Sequence, residues 1–208
     1  YKRECLNNVT RKTRGRSNVI TYDFTTVLDS VRFDIIGDSN RIEIGEGCIL
    51  RNTTFRIRGS NHRILIGREC NFWGGSMILF EDHSGSLTVG DGTTFGNVHI
   101  VVTEPYSRVD IGDDCMFSGD IDIRTGDSHS IIDLASGVRT NLAKDVRIHD
   151  HVWVGAHSVI LKGATVRENS VVATASVLTQ PFQEANVLIA GSPAMIVRRG
   201  VDWLRERI

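Results

Sequence analysis

The stretch from Arg147 to Leu178 reads RIHDHVWVGAHSVILKGATVRENSVVATASVL, and an aliphatic residue returns in it at every sixth position. These positions are Ile148, Val154, Ile160, Val166, Val172 and Leu178. Neither an α-helix nor a single strand has a period of six residues, whereas a short strand followed by a turn does. Three such hexapeptides close one coil of a prism, and stacked coils bury their inward aliphatic side chains. The stretch therefore predicts a parallel β-helix.

The same repeat continues upstream with longer coils. Pairs of Ile or Val with Gly begin at positions 44, 66, 89 and 111, so they are 22, 23 and 22 residues apart. Since three hexapeptides need only 18 residues, each coil has about four extra residues at one corner. The gap from Ile111 to Ile148 is 37 residues, which we interpret as two 18-residue coils plus one residue. It contains the polar, glycine-containing segment IRTGDSHSIID at 123–133, which predicts a loop.

Charge and repeat together divide the chain into three parts. Residues 1–33 lack the repeat and are basic over their first sixteen positions, which predicts an N-terminal basic segment and cap. Residues 34–179 are predicted to form the β-helix, and residues 180–208 a strand, a turn and a short C-terminal helix. The helix is predicted because Val201, Leu204 and Ile208 lie at helical spacing beside Trp203.

The overall composition restricts the class of protein. The 208 residues are 40% hydrophobic, which suits a single domain with an ample core, and the net charge of −1 gives no indication of nucleic-acid binding. No long apolar segment predicts a membrane span and no signal-peptide pattern is present, so we expect a cytoplasmic protein.

Three of the four cysteines occupy one slot of the repeat. Cys48, Cys70 and Cys115 each stand four residues after the aliphatic residue that starts a coil, where Thr93 stands in the coil between. A slot shared by Cys and Thr is typical of a small inward position, and no CxxC spacing occurs. These cysteines are therefore predicted to be free structural thiols in a reducing compartment.

The motifs resemble those of the hexapeptide-repeat acyltransferases, in the branch that O-acetylates bacterial polysaccharides, including capsular polysialic acid. The resemblance covers about residues 36–199 and is strongest in IRTGDSHSI, HDHVWVGAHSVILKGATV and VLIAGSPAMIVRR. It implies an all-β, left-handed parallel β-helix that forms a homotrimer. It also implies that acetyl-CoA binds in a groove between subunits and that a sugar hydroxyl of the polysaccharide accepts the acetyl group.

Transfer of an acetyl group from a thioester to a hydroxyl needs a base, because a protonated alcohol is a poor nucleophile. Histidine suits this role near neutral pH. Of seven histidines, His129 lies in the predicted polar loop and matches the catalytic histidine of the similar enzymes. Asp127 is expected to orient it, although both residues also suit a solvated turn. His151 precedes the tryptophan of the HDHVWVG motif, and we interpret it as structural.

Trp153 breaks the aliphatic pattern of its hexapeptide, at a position that projects from the coil. In the similar enzymes a tryptophan in this motif helps to form the site for acetyl-CoA and acceptor, and surface packing is the alternative. Small residues at the next corners would let the pantetheine lie against the backbone; they are Gly155, Ala156, Ala173 and Thr174.

The phosphates of the cofactor require cations. The sequence departs from the family at Gln180 and Met195, where lysine is frequent. Lys162 and Arg198, with its neighbour Arg199, are the local candidates that remain.

Three alternatives stay open. The same fold carries N-acetyltransferases that act on nucleotide-linked amino sugars, and it carries γ-type carbonic anhydrases with zinc held by histidines between subunits. The histidine spacing here does not match that metal motif, so no metal is expected. The third alternative is a scaffold without catalytic activity.

Overall fold

The computed structural model describes residues 6–208, and 26 short strands in that range stack into three sheets. Each coil contributes one strand to each sheet, and neighbouring strands within a sheet run parallel, except for one hairpin at the C-terminal end. The result is a prism of about eight coils. Residues 6–208 contain no helix, and hence none that is long and apolar enough to cross a membrane.

We call the sheets A, B and C in the order in which the chain visits them. Sheet A consists of β1 (Leu6–Asn7), β4 (Val27–Asp29), β7 (Ile49–Arg51), β10 (Asn71–Phe72), β13 (Thr94–Phe95), β16 (Met116–Phe117), β19 (Trp153–Val154), β22 (Val171–Val172), β25 (Val187–Gly191) and β26 (Ala194–Arg199). Sheet B consists of β2 (Thr10–Arg14), β5 (Arg32–Ile36), β8 (Thr54–Arg58), β11 (Met77–Phe80), β14 (Val98–Val102), β17 (Ile121–Arg124), β20 (Val159–Ile160) and β23 (Val177–Leu178). Sheet C consists of β3 (Val19–Tyr22), β6 (Arg41–Ile44), β9 (Arg63–Ile66), β12 (Ser86–Val89), β15 (Arg108–Ile111), β18 (Val146–Ile148), β21 (Thr165–Val166) and β24 (Pro181–Phe182).

The core is a set of columns that run along the axis of the prism. The hexapeptide aliphatics that define the repeat are all buried, and on sheet C Ile111, Ile148 and Val166 stand directly above one another. On sheet A the rings of Phe72, Phe95 and Phe117 stack, with centroids 4.4 and 4.7 Å apart. The six-residue period is therefore confirmed as the pattern of inward side chains.

The shared slot of cysteine and threonine has a specific contact. The Cys48 thiol donates a hydrogen bond to the carbonyl oxygen of Gly67 (3.0 Å), and the Thr93 hydroxyl donates one to the carbonyl oxygen of Gly112 (2.9 Å). In both cases the side chain reaches a backbone carbonyl group in a turn of the next coil. The position therefore requires a small side chain with a hydrogen-bond donor. Cys48, Cys70 and Cys115 are buried and free, as predicted, and burial raises the pKa of the Cys115 thiol to about 12.

The β-helix starts earlier than residue 34. β1 to β4 pair in parallel with the following coils, and β2 and β5 are in register over five residues, so residues 6–33 are not a separate cap. The first coil is at the end of the prism and packs against another coil on one side only. It therefore lacks the aliphatic pattern. At its inward position, Arg11 lies over the ring of Phe33 and donates a hydrogen bond to the Tyr22 hydroxyl (2.9 Å). Lys2, Arg3 and Glu4 of the predicted basic segment lie outside the described residues.

The predicted C-terminal helix is wrong. The β-helix continues through β24 and β25, and the hairpin of β25 with β26 closes it. Residues 201–208 then run without a helix, with Leu204 and Ile208 exposed and Trp203 buried. Trp203 and Arg205, two residues apart, make the contacts with the coils, which suits an extended segment rather than a helix.

The interpretation of the 37-residue gap as two coils is also wrong. Ile111 pairs directly with Ile148, so the gap is one coil. Its extra length lies between β17 and β18, in residues 125–145, which we call the long loop. A polar loop was predicted here, but its size was not.

Candidate active site

The long loop leaves the prism at the corner between sheets B and C. It contains a hairpin in which the Thr140 amide donates to the carbonyl oxygen of Ile131 (2.9 Å) and the Asp133 amide to that of Val138 (2.9 Å). Near its tip Leu134 is 99% exposed, and Ile131 and Val138 are exposed as well. A loop that presents aliphatic side chains to solvent is typical of an interaction surface.

Asn141 holds the base of the long loop. Its amide group donates to the Asp127 carboxylate (2.8 Å) and to the carbonyl oxygen of His129 (2.7 Å), and its carbonyl oxygen accepts from the Ile131 amide (2.7 Å). The side chain is buried, so these bonds replace those that water would make. Asn141 therefore fixes the backbone at His129, and nothing in the local sequence pattern indicated this role.

Lys162 joins the same network from the coil below. Its ammonium group donates to the Asp127 carboxylate (2.5 Å) and to the carbonyl oxygen of Asn141 (2.9 Å). The hydrogen bond from Lys162 lowers the pKa of Asp127 and outweighs the opposing effect of burial. The carboxylate thus faces Lys162, whereas Asp127 was predicted to orient His129 and Lys162 to bind the cofactor phosphates.

Glu104 makes a second anchor, from the corner between β14 and β15. Its carboxylate pairs with the Arg139 guanidinium and accepts a hydrogen bond from the Ala143 amide (3.2 Å). Both side chains are largely shielded from solvent. The long loop is therefore tied to the prism on both sides of its hairpin, and sequence reasoning missed this pair.

The imidazole ring of His129 takes no part in the hydrogen bonds of these anchors. Its amide donates to the carbonyl oxygen of Asp127 (2.8 Å), but its imidazole is exposed and makes no hydrogen bond within residues 6–208. The fold thus holds the backbone at His129 and leaves the ring nitrogens accessible, as a base that accepts a substrate proton requires.

Trp153 lies on the outer face of sheet A, which is opposite the corner between sheets B and C that carries the long loop. Its ring is 36% exposed, its indole nitrogen lies 3.4 Å from the Ser118 hydroxyl, and its ring centroid is 6.3 Å from that of Trp203. Trp203 in turn stacks on His151, with centroids 4.3 Å apart, and donates to the carbonyl oxygen of His151 (2.9 Å). The C-terminal segment therefore forms one wall beside Trp153.

Arg205 fastens this wall to the coils. Its guanidinium donates two hydrogen bonds to the Asp114 carboxylate (2.8 and 3.0 Å), which also contacts the His151 ring at 2.7 Å. Burial acts to raise the pKa of Asp114, but the hydrogen bonds from His151 and Arg205 outweigh it and lower that pKa. His151 thus contacts Asp114 and Trp203 of the same chain, and its interpretation as a structural residue stays a prediction.

Four other predicted cofactor residues lie at the corner that follows Trp153 and at the same corner one coil below. Gly155 and Ala156 form the corner between sheets A and B, and Ala173 and Thr174 form the same corner one coil below. At Gly155 a Cβ atom would lie 2.6 Å from the Thr174 amide nitrogen, so the spacing between coils itself requires glycine there. Arg198 is exposed on β26.

One chain therefore brings together only part of the predicted site. Asp127, Lys162 and the backbone of His129 meet at the corner of sheets B and C, whereas Trp153 and its small neighbours lie on sheet A and the next corner. Across the described part of the chain, residues 6–208, no three His, Cys, Asp or Glu side chains are grouped so that they could hold a metal ion.

Known proteins resemble the chain over nearly its whole length, although no protein-family model matches it. The polysialic acid O-acetyltransferase of Neisseria meningitidis is 36% identical over 193 residues, which are 93% of this chain and 88% of that protein. The structure of the polysialic acid O-acetyltransferase OatWY superposes with a TM-score of 0.91 at 34% identity, and covers 94% of this chain and 92% of its own. The polySia-specific acetyltransferase NeuO superposes with a TM-score of 0.82 at 28% identity, over 96% of this chain and 90% of its own.

This agreement confirms the predicted left-handed parallel β-helix. The chain belongs to the polysialic acid O-acetyltransferases, within the hexapeptide-repeat acetyltransferases.

Proposed function

We propose that this protein transfers an acetyl group from acetyl-CoA to a hydroxyl group of a sialic acid polymer. The observation that carries the proposal is the near full-length similarity to two polysialic acid O-acetyltransferases, one of which superposes with a TM-score of 0.91. An accessible imidazole on a firmly anchored loop supports the same chemistry.

His129 acts as the general base in this proposal. The acceptor hydroxyl loses its proton to the imidazole as its oxygen attacks the thioester carbonyl carbon. The carbon–sulfur bond then breaks, an ester bond to the sugar remains, and the imidazolium returns the proton to the CoA thiolate. We infer direct transfer, in keeping with the burial of Cys48, Cys70 and Cys115, which makes these three thiols unsuited to a covalent intermediate.

We further propose that the complete site forms between two subunits of a homotrimer. His129 and Trp153 lie on different sides of one prism, so a single chain cannot present both to one substrate. The exposed aliphatic side chains of the long loop gain from burial against a neighbouring chain. In a cyclic assembly, the loop of each copy then meets sheet A of the next.

Acetyl-CoA lies in this groove, beside Trp153 and the wall that Trp203 forms. Its pantetheine follows the corner made by Gly155, Ala156, Ala173 and Thr174. Because Lys162 is already paired with Asp127 and Arg199 with Glu184, Arg198 is the remaining predicted cation for the phosphates. N-acetylation of a nucleotide-linked amino sugar stays the alternative activity.

An acceptor panel tests the proposal. Purified protein is incubated with acetyl-CoA and either polysialic acid, a neutral polysaccharide or a nucleotide-linked amino sugar, and CoA release is followed. We expect release only with polysialic acid, and a product acetyl group that mild base removes, as it does from an ester. A base-stable amide on the amino sugar, with no transfer to the polymer, would overturn the proposal in favour of N-acetylation.

A further inference from the structure

The first three strands of sheet B carry an unbalanced set of charges on their outer face. Their alternation places Phe33, Phe55, Ile35 and Ile57 in the core, and the residues between them point outward. The outward positions of β2, β5 and β8 contain five cations and one carboxylate, which leaves four net positive charges. These residues, the basic face, are Lys12, Arg14, Arg32, Arg56 and Arg58, with Asp34.

The single carboxylate neutralises only part of the basic face. Asp34 pairs with Arg58 at 2.8 Å and lies 3.9 Å from Arg32. Lys12, Arg14 and Arg56 make no ion pair with any residue from 6 to 208, and all three are exposed. Three cations on β2 and β8, the two strands that flank β5, thus remain available to an anionic partner.

The other two faces of the same coils have no such imbalance. On sheet C the outward residues of β6 and β9 include Arg41 and Arg63 against Glu43, and on sheet A those of β4 and β7 include Arg51 against Asp29. Because the three faces belong to the same coils, position along the prism does not explain the excess on sheet B. The charge is specific to one side of the prism.

Sheet B also leads to the corner that carries His129. Beyond β8 the outer face continues over β11 and β14 to β17, whose end opens into the long loop. Strands in a sheet are spaced about 4.8 Å apart, so β8 is about 14 Å from β17. The outward positions of β11 and β14 hold Met77, Leu79, His99 and the buried Val101, none of which is acidic. On β17 the outward carboxylate of Asp122 is paired with the outward Arg124 at 2.8 Å. An extended polymer at His129 can therefore run along this face to the cations.

We propose that the basic face binds the carboxylates of an acidic polysaccharide, several sugars away from the hydroxyl that is acetylated. The inference rests on the proposed function and adds to it a second contact region for the same polymer. Each exposed ion contact contributes little by itself. A polymer engages several of them at once, and a chain already held at one end meets the second region at high effective concentration.

Charge reversal tests the inference. The variant carries Arg14→Glu and Arg56→Glu, and the matched control carries Arg63→Glu and Arg108→Glu, two exposed cations without ion pairs on the outer face of sheet C. Kinetics are measured with long polysialic acid, with a three-sugar sialic acid oligomer and with varied acetyl-CoA. We expect the Michaelis constant for the long polymer to rise about tenfold in the variant, since two exposed contacts are each worth up to about 1 kcal/mol.

The same constant should change less than about twofold for the oligomer and for acetyl-CoA, which do not reach the basic face. High salt should remove the difference between variant and wild type, because screening is strong beyond about 10 Å at 0.1 M. An unchanged Michaelis constant for the polymer, an equal rise in the sheet C control, or an equal rise with the oligomer would each overturn the inference. If the charge-reversed variant does not fold, Arg14→Gln with Arg56→Gln gives the same test with a smaller shift.

Direct binding separates this inference from the proposed function. Each protein is titrated onto immobilised polysialic acid without acetyl-CoA, with dextran as the neutral control. Wild-type binding that the reversal abolishes supports the basic face even if no acetyl group is transferred, in which case the proposed function alone fails. Acetyl transfer to the polymer with equal binding by both proteins would leave the proposed function standing and overturn the basic face.

Discussion

Replacement of Lys162 by methionine separates two roles for this residue. Its ammonium group makes two hydrogen bonds, to the Asp127 carboxylate at 2.5 Å and to the carbonyl oxygen of Asn141 at 2.9 Å. Methionine keeps most of the aliphatic stem and removes both bonds. The Asp127 side chain is 38% exposed, so water partly replaces its partner, and the net loss should be about 1–2 kcal/mol.

The loss should affect catalysis because Asn141 and Asp127 hold the backbone at His129. If the active conformation of the long loop becomes about 1–2 kcal/mol less stable, the barrier to acetyl transfer rises by a similar amount and kcat should fall about tenfold. The Michaelis constant for acetyl-CoA should stay within about twofold. Steady-state kinetics with acetyl-CoA varied at saturating polysialic acid measure both constants.

Two variants serve as controls. Lys144→Met removes an exposed cation from the same long loop and should leave both constants unchanged. Asn141→Ala acts on the same network, so its effect and that of Lys162→Met should not be additive. A raised Michaelis constant for acetyl-CoA with an unchanged kcat would refute the anchoring role and restore Lys162 as a phosphate ligand.

Three further predictions concern other parts of the molecule. His129→Ala should lower kcat by about 10² to 10⁴-fold with little change in acetyl-CoA affinity by calorimetry, and near-normal turnover of the folded variant would exclude His129. Arg205→Ala should release the C-terminal segment that holds Trp203 beside Trp153, and so raise the Michaelis constant for acetyl-CoA and shift the tryptophan fluorescence. If both values are unchanged, Trp203 does not contribute to the acetyl-CoA site. Burial lowers the pKa of His62 from 6.5 to about 4, so its contribution to stability is complete above pH 6.5 and is lost as the pH falls to 4. In urea unfolding, the free energy of unfolding of the wild type should fall by on the order of 3 kcal/mol more than that of His62→Leu over that pH range. Parallel pH profiles of the two free energies would contradict this.

The repeat was predictable because it records a geometric constraint at every coil. One inward residue per hexapeptide must fill a dry column, so Ile148 and Val166 must be aliphatic, and their spacing gives the strand positions. The constraint weakens at an end of the prism. There Arg11 replaces an aliphatic residue without exposing the core, and the first coil escaped prediction.

The anchors of the long loop have no comparable signature in the sequence. Glu104 meets Arg139 across 35 residues, and Lys162 meets Asp127 across the same separation. Such contacts depend on the path of the loop rather than on local periodicity. A cation close to the site therefore suggested a phosphate ligand, although the nearest anion in the fold is a carboxylate of the protein itself.

The predicted helix in the C-terminal segment was wrong for a related reason. Val201, Leu204 and Ile208 have helical spacing, but only Val201 is partly buried, whereas Leu204 and Ile208 are exposed. The specific contacts of Trp203 and Arg205 with the coils determine the conformation instead. Periodicity alone does not reveal which surface an end segment will cover.

Subunit complementation tests the central claim, that His129 and Trp153 act in one acetyl-transfer site contributed by two chains. His129→Ala and Trp153→Ala proteins are assayed separately with acetyl-CoA and polysialic acid, and then after co-refolding in equal amounts. Each alone should be nearly inactive. Random mixing in a cyclic assembly should pair an intact His129 with an intact Trp153 at about one interface in four, and restore about a quarter of wild-type activity. Inactivity of the refolded mixed trimers would contradict a shared site.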